Sequence, residues 1–184
     1  MQIIYLDPVQ TIIFDVLAWL VIHLALGYLC SKIPTNWLNP DYPFFQTFAW
    51  EKDGEIYQQF FHVRSWKRFI PNGSRIYRGA FSIKNLPTMD LEYLERWLKE
   101  SIRAEICHWA MIIPGFGFFL WNSVSVGWGM VTYAFLNNII PIIMQRFNRP
   151  RMRKLLAQYQ KKNPRSDNIR ILSVSKETFS HTQS

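Results

Sequence analysis

The chain is short of charge, of cysteine and of the signatures that mark soluble catalysts. Charged residues make up 18% of its 184 positions, against about 25% in an ordinary soluble domain. That is too little charge to cover a water-facing surface. Cys30 and Cys107 are its only cysteines, which excludes a disulfide-built secreted module. Both lie in or beside apolar runs, where a free thiol behaves as a small hydrophobe. No serine stands in a G-x-S-x-G setting, and there is neither a phosphate-binding glycine loop nor a dinucleotide fingerprint. A histidine followed five residues later by aspartate is missing too, since Lys67 follows His62 and Ile113 follows His108. Internal repeats and low-complexity tracts are absent.

The most informative gap is in the basic residues. None of the 21 lysines and arginines precedes Lys32; 11 fall between Lys32 and Arg103 and 10 from Arg146 onward. Apolar residues, at 49% of the chain with 16% aromatic, are plentiful enough to exclude disorder for most of it. Residues 11–30 (TIIFDVLAWLVIHLALGYLC) have the length that a helix needs to cross the hydrocarbon core. A cleaved signal peptide is the competing reading, but it calls for a basic flank and small residues at the cut. This segment has neither. Between Trp109 and Met144 no side chain is charged. As one straight helix that stretch would measure about 54 Å, so two passes are expected, turning at Asn122-Ser123 and Gly127-Trp128-Gly129. The first pass is short and interrupted by Pro114 and Gly115, which suits a re-entrant or tilted segment. Trp109, Trp121 and Trp128 suit the interfacial belt.

The expected fold is therefore an all-α integral membrane protein, one membrane domain over residues 1–184. It has about three transmembrane or re-entrant helices and an aromatic-rich interfacial region on the cytosolic side. Residues 11–30 form the first span, 31–87 the interfacial region, 88–121 a helix entering the membrane, and 127–145 the last span. A basic amphipathic helix over 146–161 and a flexible tail over 162–184 complete it. Prolines 34, 40 and 43 argue against a helix at the start of the interfacial region, and Asp53-Gly54 and Asn72-Gly73 are turn signals. Residues 55–70 fit either a helix or a strand. Thr88 is the expected N-cap of the following helix, whose Leu91, Leu94, Leu98 and Ile102 recur at helical spacing. Asn148 is expected to cap a new helix with Pro150 in its first turn. Its Met152, Leu155, Leu156 and Tyr159 would form an apolar stripe. The net charge of +8 flanks apolar runs, which points to an anionic bilayer surface and not to nucleic acid. The positive-inside rule puts the N-terminus outside and the C-terminus in the cytosol.

The candidate chemistry centres on Glu105 and His108. Glu105 falls on the apolar face of its helix at the membrane boundary, where a carboxylate needs a partner or a task. Three residues apart, the two side chains can meet, and the carboxylate could orient the imidazole as a general base. An interfacial salt bridge from Glu105 to a basic residue is the alternative. Glu-x-x-His is also half of a di-iron signature, but no second pair exists, and no metal is expected. His23 and the pair Asn137-Asn138 suit packing or hydrogen bonds between spans. Two basic–aromatic motifs, Val63-Arg64-Ser65-Trp66-Lys67 and Gln145-Arg146-Phe147-Asn148-Arg149-Pro150-Arg151, contact lipid headgroups or grip a phosphate- or pantetheine-bearing donor.

Taken in order, Ile33-Pro34, Glu51-Lys52-x-Gly54, Val63-Arg64-x-Trp66-Lys67, Arg103-Ala104-Glu105-x-x-His108-Trp109 and Gln145-Arg146-x-Asn148-Arg149-Pro150-Arg151 resemble the glycosyl-4,4'-diaponeurosporenoate acyltransferase family. The resemblance covers roughly residues 33–154. It implies a bacterial cell-membrane enzyme that esterifies the glucose C6'' hydroxyl of a carotenoid glycoside with a fatty acid, the last step toward staphyloxanthin-like carotenoids. The acyl donor, acyl-CoA or acyl carrier protein, is then a co-substrate, with no cofactor, and other enzymes of that pathway are candidate partners. On this reading His108 is the base and Glu105 orients it, while Arg64, Trp66, Lys67, Arg103, Arg146, Asn148 and Arg149 bind donor or headgroup. A non-catalytic carotenoid-binding or scaffolding protein, or another small membrane transferase acting on a lipid, is the rival.

The charge pattern makes a first prediction. A reporter fused after Ser184 should read as cytosolic; an extracytoplasmic signal at that position overturns the topology.

Overall fold

The computed structural model describes residues 2–69 and 90–162. Its elements are α1 (Pro8–Ser31), α2 (Glu55–Phe61), α3 (Val63–Trp66), α4 (Leu91–Ile112) and α5 (Val124–Lys162), with 3-10 turns between them and no strand among the described residues. Two helices, α1 and α5, are long and apolar enough to cross a membrane. The expected Thr88 cap, the Asn72-Gly73 turn and the tail beyond Lys162 lie outside the described residues.

Helix α1 starts one turn earlier than the apolar run. Pro8 occupies its first position, and the Asp7 carboxylate accepts from the N–H groups of Val9 and Gln10, both at 2.9 Å. Its buried face is narrow, made by Asp15, Trp19, Gly27 and Cys30, while Ile12, Ile13, Val16, Leu17, Leu20, Val21 and Leu24 point outward. Helix α4 is capped by Asp90, which accepts from the Tyr93 N–H at 2.7 Å. It buries Leu94, Leu98, Ser101, Ile102 and Glu105 at helical spacing.

Beyond Ile112 the chain tightens into a 3-10 segment, Ile113–Leu120, with Pro114 near its start. The ends of the segment from Arg103 to Leu120 are fixed near the two ends of α1. Arg103 donates to the carbonyls of Cys30, at 3.0 Å, and Ile33. At the other end the Leu120 carbonyl accepts from the N–H groups of Ile3 and Ile4, at 2.7 and 2.9 Å. From Arg103 to Leu120 the two helix types together rise about 30 Å. Asp15 anchors the turn that follows, accepting from Trp121 Nε1 at 2.7 Å and Asn122 Nδ2 at 2.8 Å. Trp19, Phe118, Trp121 and Ala134 pack around it.

Two expectations about the second half are corrected. The last span and the basic helix are one continuous 39-residue helix, α5, with Pro141 and Pro150 inside it. Asn148 therefore caps nothing. Pro150 removes one ladder hydrogen bond, but burial holds the helix together on both sides of it. Phe147 packs with Tyr57, Val63 and Ile143, and Met152 packs with Leu94, Trp97 and Leu98 of α4. Residues 55–69 resolve as helix, broken once where His62 adopts φ 48° and turns α2 into α3.

The chain from Ile33 to Phe69 lies against the C-terminal half of α5, and Gly54 comes close to its backbone. A Cβ there would lie 3.1 Å from the Phe147 carbonyl oxygen and 3.3 Å from that of Arg146, and the residue has φ +84°. Both facts call for glycine. Gly54→Ala should destabilise the protein by about 2–4 kcal/mol, combining backbone strain with overpacking. Thermal unfolding in detergent measures it, and an unchanged midpoint would mean that this contact is dispensable.

Candidate active site

Helices α4 and α5 face each other through polar residues spaced at one and two turns. Helix α4 contributes Ser101, Glu105 and His108; α5 contributes Asn138, Arg146 and Arg149. They meet as rungs. His108 Nδ1 lies 2.8 Å from Asn138 Oδ1. Further down, Arg146 Nε donates to Glu105 Oε1 at 2.9 Å, and Arg149 Nη2 pairs with Glu105 Oε2 at 2.7 Å. Arg149 Nε also donates to Ser101 Oγ at 3.0 Å.

The lower rungs are closed off by the 3-10 turns before α2. Arg146 Nη1 reaches Glu51 at 3.1 Å, and its Nη2 donates to the Phe44 carbonyl at 2.6 Å. Arg149 Nη1 donates to the Phe45 carbonyl at 3.2 Å. The rings of Phe48, Phe44 and Phe45 lie 4.9, 5.4 and 5.8 Å from these guanidinium carbons. Glu51, in turn, accepts from the Tyr57 hydroxyl and from the Phe48 N–H. Burial raises the Tyr57 pKa, and the hydrogen bond and charge of Glu51 push the same way, with Arg146 opposing them. Tyr57 therefore stays protonated and remains a donor. Two carboxylates and two guanidiniums make a neutral quartet in which Glu105 is 0% and Arg149 2% exposed.

This geometry corrects the expected pairing. Glu105 does not orient His108; it bridges Arg146 and Arg149, as the salt-bridge alternative had it. A buried carboxylate gains most from a cation, and α5 offers two at its level but an amide at the level of His108. Asn138 is the histidine's partner instead. Asn138 Nδ2 donates to the Ala134 carbonyl at 2.8 Å, which leaves Oδ1 to accept from His108 Nδ1–H. Nε2 is then the unprotonated nitrogen, able to accept a proton. His23 Nδ1 faces the Trp19 carbonyl at 2.7 Å.

The expected donor-binding residues divide into two groups. Arg146 and Arg149 spend their N–H groups inside the fold, and Arg103 clamps the end of α1 and pairs with Glu100 at 2.9 Å. Asn148 is half-buried within α5. Trp66 donates to the Phe61 carbonyl at 2.6 Å and packs beside Tyr57 and Phe147. Arg64 and Lys67 remain accessible, the first exposed and the second half-buried. Glu51, Tyr57, Ser101 and Asn138 are functional neighbours that residue spacing did not reveal. Glu51 is 95 positions from Arg146, and only its place in a motif pointed to it. Among the described residues no three metal-ligating side chains converge.

The sequence profile of the glycosyl-4,4'-diaponeurosporenoate acyltransferase family matches residues 41–158. The chain belongs to that family. Glycosyl-4,4'-diaponeurosporenoate acyltransferases from Staphylococcus aureus strains N315, MRSA252 and Newman are each 31% identical to it over 159 residues. Those alignments cover 86% of this chain and 96% of the relative. No solved structure matches it. Membership makes the chain an acyltransferase and sets aside the carotenoid-binding and scaffolding alternatives. The matched region includes the whole ion quartet and both members of the His108–Asn138 rung.

Removing one partner from a buried ion pair leaves an uncompensated charge, at a cost of about 3–5 kcal/mol. Glu105→Gln and Arg149→Gln should therefore lower the unfolding midpoint in detergent and the amount of folded protein. Normal stability with a raised donor KM would instead return Arg149 to the donor-binding group.

Proposed function

We propose that the protein transfers a fatty acyl chain to a sugar hydroxyl, the glucose C6'' oxygen, of a glycosylated carotenoid of the diaponeurosporenoate type, completing a staphyloxanthin-like pigment. It works from the bacterial cell membrane, with α1, the pass from Arg103 to Leu120 and the apolar part of α5 as three spans. The outward-facing aliphatic side chains of α1 support insertion, since in water they would form an apolar belt that soluble monomers avoid. The rise of about 30 Å between Arg103 and Leu120 equals the thickness of a hydrocarbon core. The N-terminus is placed outside and the basic ends of α4 and α5 inside.

The observation that carries the reaction is the His108–Asn138 rung. A sugar hydroxyl is too weak an acid to ionise at neutral pH, so it needs a base in contact as it attacks. Asn138 holds the imidazole in the tautomer whose Nε2 accepts. His108 sits five residues, about 7 Å of helix rise, beyond Arg103. That depth suits a glycoside whose polyene lies among the lipid tails with its sugar just below the headgroups. As the hydroxyl oxygen attacks the thioester carbonyl, its proton moves to Nε2. Collapse of the tetrahedral intermediate breaks the carbon–sulfur bond, and the imidazolium returns the proton to the leaving sulfur. The products are the ester and a free thiol. Glu105, already neutralised by two arginines, keeps the seam in register and takes no proton.

His108→Ala and His108→Gln should insert normally yet lose about 10²–10⁴-fold in rate, the range of a general base, with unacylated glycoside accumulating. Asn138→Ala should lose up to about 10²-fold through misorientation of the ring. Carotenoid profiling and acyl transfer by the purified protein measure both. A His108→Ala variant that retains more than about a tenth of wild-type activity removes the base role and moves the search to His23.

A further inference from the structure

Helix α5 leaves the ion quartet and, just past it, meets a crowd of cations. Arg151 lies with its guanidinium carbon 3.6 Å from the centre of the Phe147 ring, and Lys67 places Nζ 5.4 Å from the same ring. Arg64, one turn before Lys67, completes the group. The carboxylate shared here is Glu55, 2.6 Å from Arg151 and 3.7 Å from Arg64. Asp53, nearby, is taken by Lys154 at 2.8 Å, and among the described residues Lys67 makes no ion pair. Three cations around one carboxylate leave a local surplus of two positive charges. The chain turns through a left-handed backbone at His62 into α3, and the Phe147 ring, on a residue 0% exposed, lies within reach of both Lys67 and Arg151. The Lys67 pKa is lowered, first by burial and then by the charges of Arg151 and Arg64. Like charges gathered at such a cost favour an anionic ligand.

We infer that Arg64, Lys67 and Arg151 form a phosphate cradle, which receives the phosphate of the phosphopantetheine arm that carries the acyl chain. This rests on the acyl-transfer reading above and places the donor's anionic end within it. The acyl-transfer reading itself favours a donor over a lipid headgroup. Asn138, the partner of His108, and Arg151 are 13 residues apart on α5, about 20 Å of helix rise and about 140° around its axis. An extended phosphopantetheine arm would therefore run over the flank of α5 to reach the imidazole. Arg supplies a two-pronged contact and Lys a point charge, a combination suited to a phosphate ester.

The test uses the full chain in nanodiscs of neutral phosphatidylcholine, titrated with coenzyme A by calorimetry. Coenzyme A should bind, and Lys67→Gln and Arg151→Gln should each weaken it roughly ten-fold, the loss of one charge-assisted contact. Lys67→Arg should stay near wild type. Should Arg151→Gln fail to fold, Lys67→Gln and Arg64→Gln, on the outer side of the cluster, decide the matter. Unchanged affinity in those variants overturns the cradle. If coenzyme A does not bind, while anionic phosphatidylglycerol co-purifies with wild type and is lost from Lys67→Gln, the phosphate is a headgroup's and the donor assignment is overturned. Coenzyme A binding that depends on Lys67 in a protein without acyl transfer supports the cradle and removes the reaction instead.

Discussion

One carboxylate organises the half of the molecule around the C-terminal part of α5. Glu105 has no contact with solvent and sits between the guanidiniums of Arg146 and Arg149. A buried pair of this kind contributes little net stability over an apolar filling, because desolvation offsets most of the attraction. Its effect is on geometry. With Glu105 on α4 and both arginines on α5, the two helices can slide neither along nor around each other without stranding a charge. The remaining N–H groups of the arginines then draw in the carbonyls of Phe44 and Phe45 and the carboxylate of Glu51. A segment rich in proline and 3-10 turns, with no long helix of its own, is thereby seated on α5.

The seam separates two kinds of polar contact. The ionic rungs are buried and serve the fold. The rung above them is neutral: an amide and an imidazole, with one ring nitrogen left to accept. Placing the fixed charges one turn below His108 keeps a full negative charge off the imidazole.

Periodicity revealed the helices, because it is a local property of the chain. The run of residues 11–30, the apolar spacing of α4 and the expected hairpin all correspond to elements in the structure. The partners were not legible. Glu105 and His108 are three residues apart, and spacing joined them; which of several side chains across the seam each would meet depends on the relative height of α5, a non-local quantity. The break expected at Asn148-Pro150 followed a sound local rule that tertiary burial of Phe147, Arg149 and Met152 overrides. For the same reason Arg149 reads as a surface cation in sequence and is an interior one in the fold.

The 3-10 winding of Ile113–Leu120 has a bearing on which bilayer suits this protein. An α-helix gains 1.5 Å per residue and a 3-10 helix about 2.0 Å, so this short pass is already lengthened by its winding while one end is tied to the end of α1 and the other to the residues just before it. It has no spare turn with which to lengthen. Helices that meet a thicker membrane usually tilt less or lean on flanking residues; here such adjustment would pull Leu120 from Ile3 and Ile4, or Arg103 from Cys30. On the membrane reading, the bundle acts as a gauge of fixed span, and it favours lipid whose hydrocarbon depth is close to the distance between those two ties.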